Sequence, residues 1–179
     1  MTNLAQINNW GSLHPLIVHF PIALLFVAPL FIVLGIIIQK SLRDFYICAL
    51  ILMLLGTAGV FLAVATGNFA AKTVPSDPAI TTTLEAHVRF AEQSQLNFSV
   101  LVILFLIYIL SSNFTQKRFG KLDRVAGCLF LIIYVFNLAL IFNTAHYGGT
   151  LVHKHGVKST LYLNSSSNKY IDNLFMGKK

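Results

Sequence analysis

The sequence HPLIVHFPIAL, at residues 14–24, opens the first long apolar run of the chain and places two histidines and two prolines in its first turns. Pro15 is compatible with a first helical turn, because the N–H that proline lacks would have no partner there. An imidazole at the rim of a bilayer is costly unless it has a partner. The stretch therefore predicts the start of a membrane helix whose histidines, His14 and His19, bind something.

The composition is that of an integral membrane protein. Of the 179 residues, 56% are hydrophobic and only 11% are charged, whereas a soluble domain carries about 25% charged residues. The length suits one compact bundle. We expect the net charge of +7 to set membrane topology rather than to bind nucleic acid.

Four apolar runs of about twenty residues each match the length that a bilayer requires. They predict helices at about residues 15–39, 45–66, 84–111 and 125–145, in a transmembrane domain at 1–157 followed by a polar tail at 158–179. Residues 146–149 are expected to break the fourth helix. The predicted fold class is all-α, a four-helix transmembrane bundle.

The positive-inside rule gives the expected orientation of this bundle. The loop between the second and third helices holds Lys72 against Asp77, whereas the other two turns hold six basic residues: Lys40, Arg43, Lys117, Arg118, Lys121 and Arg124. We therefore expect the two basic turns in the cytoplasm and both termini on the outer, periplasmic side of a bacterial inner membrane.

This topology places all six histidines on the outer side: His14, His19, His87, His146, His153 and His155. The first and third helices of a four-helix bundle are usually diagonal across the core, and His19 and His87 lie at similar depth. Facing imidazoles on facing helices are typical ligands of a b-type haem. His19 and His87 are the preferred axial pair, and His146 and His153 are alternatives or ligands of a second haem. His14 is expected to support the helix start.

Other residues complete the predicted haem site. Gly56, Gly59, Ala63 and Gly67 form a stripe of small residues along the second helix. The stripe could give a porphyrin a flat wall, or it could serve plain helix packing. Candidates for pairing with the haem propionates are Arg89, Lys72 and Lys154. Asn137 and Asn143 are expected to form interhelical hydrogen bonds.

Two kinds of chemistry are not expected from this sequence. Neither Cys48 nor Cys128 lies in a C-x-x-C-H context, which excludes covalent c-type haem attachment. A hydrolase is not expected either, because no nucleophile is accompanied by a base and an orienting acid.

Residues 14–24 resemble the opening motif of a family of predicted bacterial four-helix membrane proteins, the domain of unknown function 2231. His87 at the head of the third helix and the ending at residues 148–157 fit this family as well. Residues 145–153 are similar to members found beside, or fused to, c-type cytochrome domains. The resemblance covers about residues 12–157 and implies a four-helix membrane domain that binds haem and takes part in respiratory electron transfer.

The sequence therefore favours a membrane protein that holds one or two non-covalent haem b groups. It would transfer electrons between quinol, or a partner subunit of a respiratory complex, and a periplasmic c-type cytochrome, and an electron-transfer subunit is favoured over a stand-alone enzyme. Two alternatives stay open. One is a cofactor-free structural or assembly subunit, and the other is a copper or zinc site on the outer face, since imidazole suits both metals.

Overall fold

A computed structural model of the chain describes residues 10–114 and 121–158. This part of the chain is all-helical, which confirms the predicted fold class. The α-helices are α1 (His14–Ile17), α2 (His19–Ile37), α3 (Leu42–Ala71), α4 (Pro78–Phe114) and α5 (Lys121–His153), with short 3-10 turns at Trp10–Leu13 and Gln39–Ser41. Residues 115–120 of the second basic turn, with Lys117 and Arg118, and the predicted polar tail apart from Lys158 lie outside the described residues.

Four segments of the described chain are long and apolar enough to cross a membrane: Trp10–Ile37, Gln39–Ala71, Pro78–Ser111 and Asp123–His153. The protein is therefore a multi-pass integral membrane protein. The short connections at residues 38–41 and 72–77 make successive spans antiparallel. Because α2 and α4 each pack against both α3 and α5, α2 and α4 lie diagonally across the bundle.

The helices extend beyond the predicted bounds at one end of the bundle. α4 begins at Pro78, because the Asp77 carboxylate accepts the N–H groups of Ala79 at 2.9 Å and Ile80 at 3.4 Å and so caps the first turn. α5 continues through residues 146–149 to His153. Two successive glycines are tolerated there because the backbone groups of a membrane helix need their internal partners.

A proline in α2 is compensated by a tyrosine of α5. Pro29 lies inside α2 and has no N–H to give to the carbonyl of Leu25, one turn earlier. The hydroxyl of Tyr134 donates to that carbonyl instead, at 2.8 Å. Tyr134 is fully buried, so this hydrogen bond joins α2 to α5 in the middle of the core.

The two asparagines of α5 differ in their partners. The side-chain amide of Asn97 in α4 donates to Oδ1 of Asn137 at 2.8 Å, and Nδ2 of Asn137 donates to the Ile133 carbonyl. Asn137 thus forms the predicted interhelical hydrogen bond. Asn143 donates within its own helix, to the carbonyl of Ala139 at 2.8 Å.

The stripe of small residues on α3 lets α2 approach closely. A Cβ atom added at Gly56 would lie 2.7 Å from Cγ of Leu25, and one added at Gly59 would lie 3.1 Å from Cβ of Pro21. At these two positions the stripe serves helix packing. Further along α3, Gly67 lies against the imidazole of His14, which is described with the candidate site.

Candidate functional site

The histidines gather at one end of the bundle, which we call the histidine end. It is formed by the beginning of α1, the end of α3, the beginning of α4 and the end of α5, together with residues 72–77 and 154–158. The antiparallel spans bring these segments together, as the sequence predicts. Two of the six imidazoles, those of His14 and His87, are half-buried and pack against each other.

The His14 imidazole is held against α3. Its Nδ1 lies 3.0 Å from the carbonyl oxygen of Ala63 and 3.3 Å from the hydroxyl oxygen of Thr66. A carbonyl only accepts hydrogen bonds, so Nδ1 is the protonated nitrogen of the ring. A Cβ atom at Gly67 would lie 3.0 Å from Cε1 of His14, so the ring lies directly on the glycine backbone.

The His87 imidazole is held against α5 in the same way. Its Nδ1 donates to the carbonyl oxygen of Thr144 at 2.8 Å, and a Cβ atom at Gly148 would lie 3.1 Å from its Cε1. Next to it, the rings of Phe90 and Tyr147 stack at 5.5 Å with an interplanar angle of 12°. This stack holds α4 and α5 together beside the imidazole.

These two arrangements, which we call half-sites, share one design. In each, a histidine lies over a glycine of a neighbouring helix and donates to the carbonyl four residues before that glycine: Ala63 before Gly67, and Thr144 before Gly148. With Nδ1 protonated, the neutral ring has its lone pair on Nε2. A metal-binding histidine typically donates its other ring N–H to a carbonyl or carboxylate in this manner.

The centroid distance between the two rings matches that of two imidazoles on opposite sides of one metal. Their centroids are 6.3 Å apart and their planes are perpendicular, at 87°. An imidazole nitrogen binds a metal at about 2.0–2.1 Å, so two rings on opposite sides of one metal have centroids roughly 6 Å apart. The half-sites therefore combine into a candidate two-histidine metal site between diagonal parts of the bundle.

The structure brings His87 together with His14, whereas the sequence analysis paired it with His19. His19 is exposed, and its Nδ1 donates to the carbonyl of Pro15 at 2.7 Å. Five residues along a helix correspond to a rotation of about 140°, so His14 and His19 point in different directions. The role of His14 is accordingly a tie to α3 as well as the start of α1.

The other predicted site residues lie around this pair. Ala63 takes part through its carbonyl, and Gly59 lies against Pro21 of α2. Arg89 is exposed on α4, two residues after His87 and so roughly on the opposite side of that helix. Lys72 is exposed and lies over the ring of Phe69.

The histidines of the predicted second set are on the surface. His146 and His153 are both exposed, and the His146 ring packs edge-on against Tyr147 at 5.5 Å. Nε2 of His155 lies 3.2 Å from the hydroxyl of Thr83, which ties the segment after α5 to α4. Within residues 10–114 and 121–158, no three His, Cys, Asp or Glu side chains come together as a metal site.

Sequence reasoning missed the two features that orient the His87 ring, the carbonyl of Thr144 and the backbone of Gly148. The available signal is the repeated spacing: Gly67 follows Ala63, and Gly148 follows Thr144, by four residues. Such a spacing becomes informative only when a histidine is known to lie opposite it, and that depends on helix rotation.

Comparison with known proteins places the chain in a family. No curated protein and no solved structure matches it. A family profile described as "Predicted membrane protein (DUF2231)" matches residues 11–161, a range that includes both half-sites and, apart from Trp10, all four membrane spans. The chain is therefore a member of the DUF2231 family of predicted membrane proteins.

Proposed function

We propose that this membrane protein binds haem b through His14 and His87 and uses it for one-electron transfer. The observation that carries the proposal is the imidazole pair, with ring centroids 6.3 Å apart and with both Nδ1 atoms on backbone carbonyls. When bound, haem iron supplies a one-electron centre whose potential depends on its axial ligands, on hydrogen bonds and on burial.

The number of side chains favours haem over a bare metal ion. Structural zinc sites use four protein ligands and catalytic ones use three, but only two histidines meet here among the described residues. A porphyrin supplies four nitrogens itself and needs two axial ligands at most. A two-histidine set therefore suits haem iron better than copper or zinc.

The chain contributes the orientation of the two imidazoles to such a site. The carbonyls of Ala63 and Thr144 hold the Nδ1–H groups, which fixes each ring and strengthens Nε2 as a ligand. Gly67 and Gly148 let the rings lie against the backbone. His146 and His153 remain the candidates for a second haem, and Lys72 for the propionates, whereas Arg89 lies on the other side of α4 from His87.

The proposed path of the electrons runs between quinol, or a partner subunit, and a c-type cytochrome outside this chain. The chain has no C-x-x-C-H motif, so a c-type haem would have to belong to a partner. We further propose that the protein lies in the bacterial inner membrane with the histidine end facing the periplasm. Lys40 and Arg43, in the turn at the opposite end, support this orientation.

The test is an absorption spectrum of the detergent-purified protein, oxidised and dithionite-reduced, with a pyridine haemochrome assay. We expect a b-type alpha band and a fixed ratio of haem to protein. His14→Ala and His87→Ala should each remove the haem, and His19→Ala is the matched control that keeps it.

Each other outcome points to a different alternative. Loss of haem in His19→Ala with retention in His14→Ala would favour the pair predicted from sequence. A colourless protein from haem-replete cells would contradict the haem proposal and favour a cofactor-free structural subunit. Metal analysis of that protein would then test the copper or zinc alternative.

A further inference from the structure

An apolar groove runs between α3 and α4 on the side of the bundle that faces lipid. It has a volume of about 560 Å³ and is lined by Leu54, Thr57, Ala58, Phe61, Leu62, Ser99, Val102 and Ile103. Small-molecule sites in proteins typically measure about 300–1,000 Å³ and have mostly apolar walls with a few polar groups. The groove has this size and mostly apolar walls but is open along the bundle surface rather than enclosed, and the two polar residues in its lining are Thr57 and Ser99.

The hydroxyl of Thr57 is buried in the wall of this groove without a partner. Thr57 is only 7% exposed, and within the described part of the chain its hydroxyl makes no hydrogen bond. A buried polar group without a partner costs about 1–3 kcal/mol, and the hydrocarbon core of a membrane has no water to replace the partner. The oxygen has almost no accessible surface, so a molecule in the groove with a hydrogen-bonding group would remove this cost after the Thr57 side chain rotates to another staggered conformation.

Ser99 supplies the complementary group. Its hydroxyl donates to the carbonyl of Gln95 at 2.6 Å, so its proton is used while its oxygen can still accept a hydrogen bond. Thr57 can donate as well as accept. The two walls of the groove thus carry an acceptor on Ser99 of α4 and, on α3, the buried hydroxyl of Thr57, which can donate into the groove once its side chain rotates.

We infer that the α3/α4 groove binds the ring of a lipid-soluble quinone or quinol. A quinone carbonyl accepts a hydrogen bond, a quinol hydroxyl also donates one, and both rings partition into the bilayer from which the groove opens. An acyl chain would fill the apolar walls but would leave Thr57 unpaired. The choice of a quinone rests on the proposed electron-transfer function, whereas the groove and its free hydroxyl do not.

The groove lies close to the imidazole pair along α3. Thr57 precedes Ala63, the residue whose carbonyl holds His14, by six residues, or about 9 Å of helix. Phe61 and Leu62 extend the lining towards that level. A ring bound beside Thr57 would therefore lie one to two helical turns deeper in the membrane than the histidines.

The experiment uses the full-length protein in lipid nanodiscs and a photoreactive azido-ubiquinone analogue as the probe. Labelled peptides are identified by mass spectrometry, with and without an excess of unlabelled decylubiquinone. We expect competed labelling on peptides that carry residues 54–62 and 99–103. Thr57→Val, which keeps the shape and removes the hydroxyl, should raise the probe concentration for half-maximal labelling roughly fivefold.

Matched variants make the result specific. Thr82→Val removes an exposed hydroxyl that donates to the Pro78 carbonyl and should leave labelling unchanged, whereas Ser99→Ala should weaken it. Labelling spread evenly over the lipid-facing helices, or not reduced by decylubiquinone, would overturn the inference. So would displacement of the probe from this groove by a fatty acid.

The failure of this inference can be told apart from failure of the haem proposal. Labelling does not require haem, so it is also measured on the His14→Ala/His87→Ala protein. Haem in the purified protein without labelling of the groove would overturn the quinone site alone. Competed labelling of a protein that never contains haem would support the quinone site and contradict the haem proposal.

Discussion

In the middle of the bundle and at the histidine end, side chains join the helices by donating hydrogen bonds to backbone carbonyls. The two regions differ in whether the donating side chain keeps a nitrogen that can bind a metal. Tyr134 has one proton to donate and gives it to Leu25. His14 and His87 each donate from Nδ1 and retain a lone pair on Nε2. The first bond holds helices together, whereas the second also leaves an imidazole nitrogen with a lone pair that a metal can bind.

The largest expected effect comes from filling the space that an imidazole occupies. Gly148→Leu places a side chain where Cε1 of His87 lies 3.1 Å from the added Cβ. Because the ring must move away from the Thr144 carbonyl, we expect haem affinity to fall about 10- to 100-fold. Haem titration of the apoprotein measures this change.

Gly149 provides the control for that experiment. A Cβ atom at Gly149 meets no atom within 4 Å, so Gly149→Ala should leave haem affinity unchanged. An equal loss of affinity in both variants would mean that the loss comes from the change in helix propensity and not from a clash between the new side chain and the His87 ring.

The next effect tests the hydrogen bond in the middle of the bundle. Tyr134→Phe leaves the Leu25 carbonyl without its donor, and we expect the free energy of unfolding to fall by about 1–3 kcal/mol. The haem spectrum should not change. Unfolding by denaturant in mixed micelles, followed by circular dichroism, measures the loss.

Pro29→Ala should rescue Tyr134→Phe, because an alanine at this position supplies the N–H that the Leu25 carbonyl lacks. The double variant is therefore expected to be more stable than Tyr134→Phe alone. Additive losses in the two single variants and the double variant would contradict the role assigned to Tyr134.

The smallest effect concerns the asparagine pair between α4 and α5. Asn97→Leu removes the donor to Asn137, and hydrogen bonds between membrane helices average about 0.6 kcal/mol. We expect a loss of that order in the same unfolding assay. Asn143→Leu, which removes only a bond within α5, should cost less, and the reverse order would contradict the assignment.

The sequence predicted the four-helix architecture because hydrophobic length is a local property of each segment. The four apolar runs alone predicted four membrane spans. The antiparallel order of those spans then predicted that the histidines lie at one end of the bundle. Asn137 was predicted correctly as an interhelical hydrogen-bond donor or acceptor, since a polar amide in a membrane helix needs a partner.

The pairing of the histidines could not be predicted, because it depends on rotation of α1 and α4 about their axes. His14 and His19 are equally plausible from spacing alone, and the glycine that receives His14 lies on another helix. The hydrogen bond from Tyr134 to the Leu25 carbonyl could not be predicted for the same reason. Pro29 indicates that the carbonyl of Leu25 lacks its helical partner, but the sequence does not indicate which side chain donates to it instead.

The repeated half-site has a consequence for how the protein is made. His14 is oriented by α3 and His87 by α5, so each hairpin carries a complete half-site before the hairpins meet. The connection at residues 72–77 joins one hairpin to the other along the chain. A chain cut there would yield two fragments, each with one prepared imidazole, and the shared ligand could drive their reassembly in the membrane as a complementation pair.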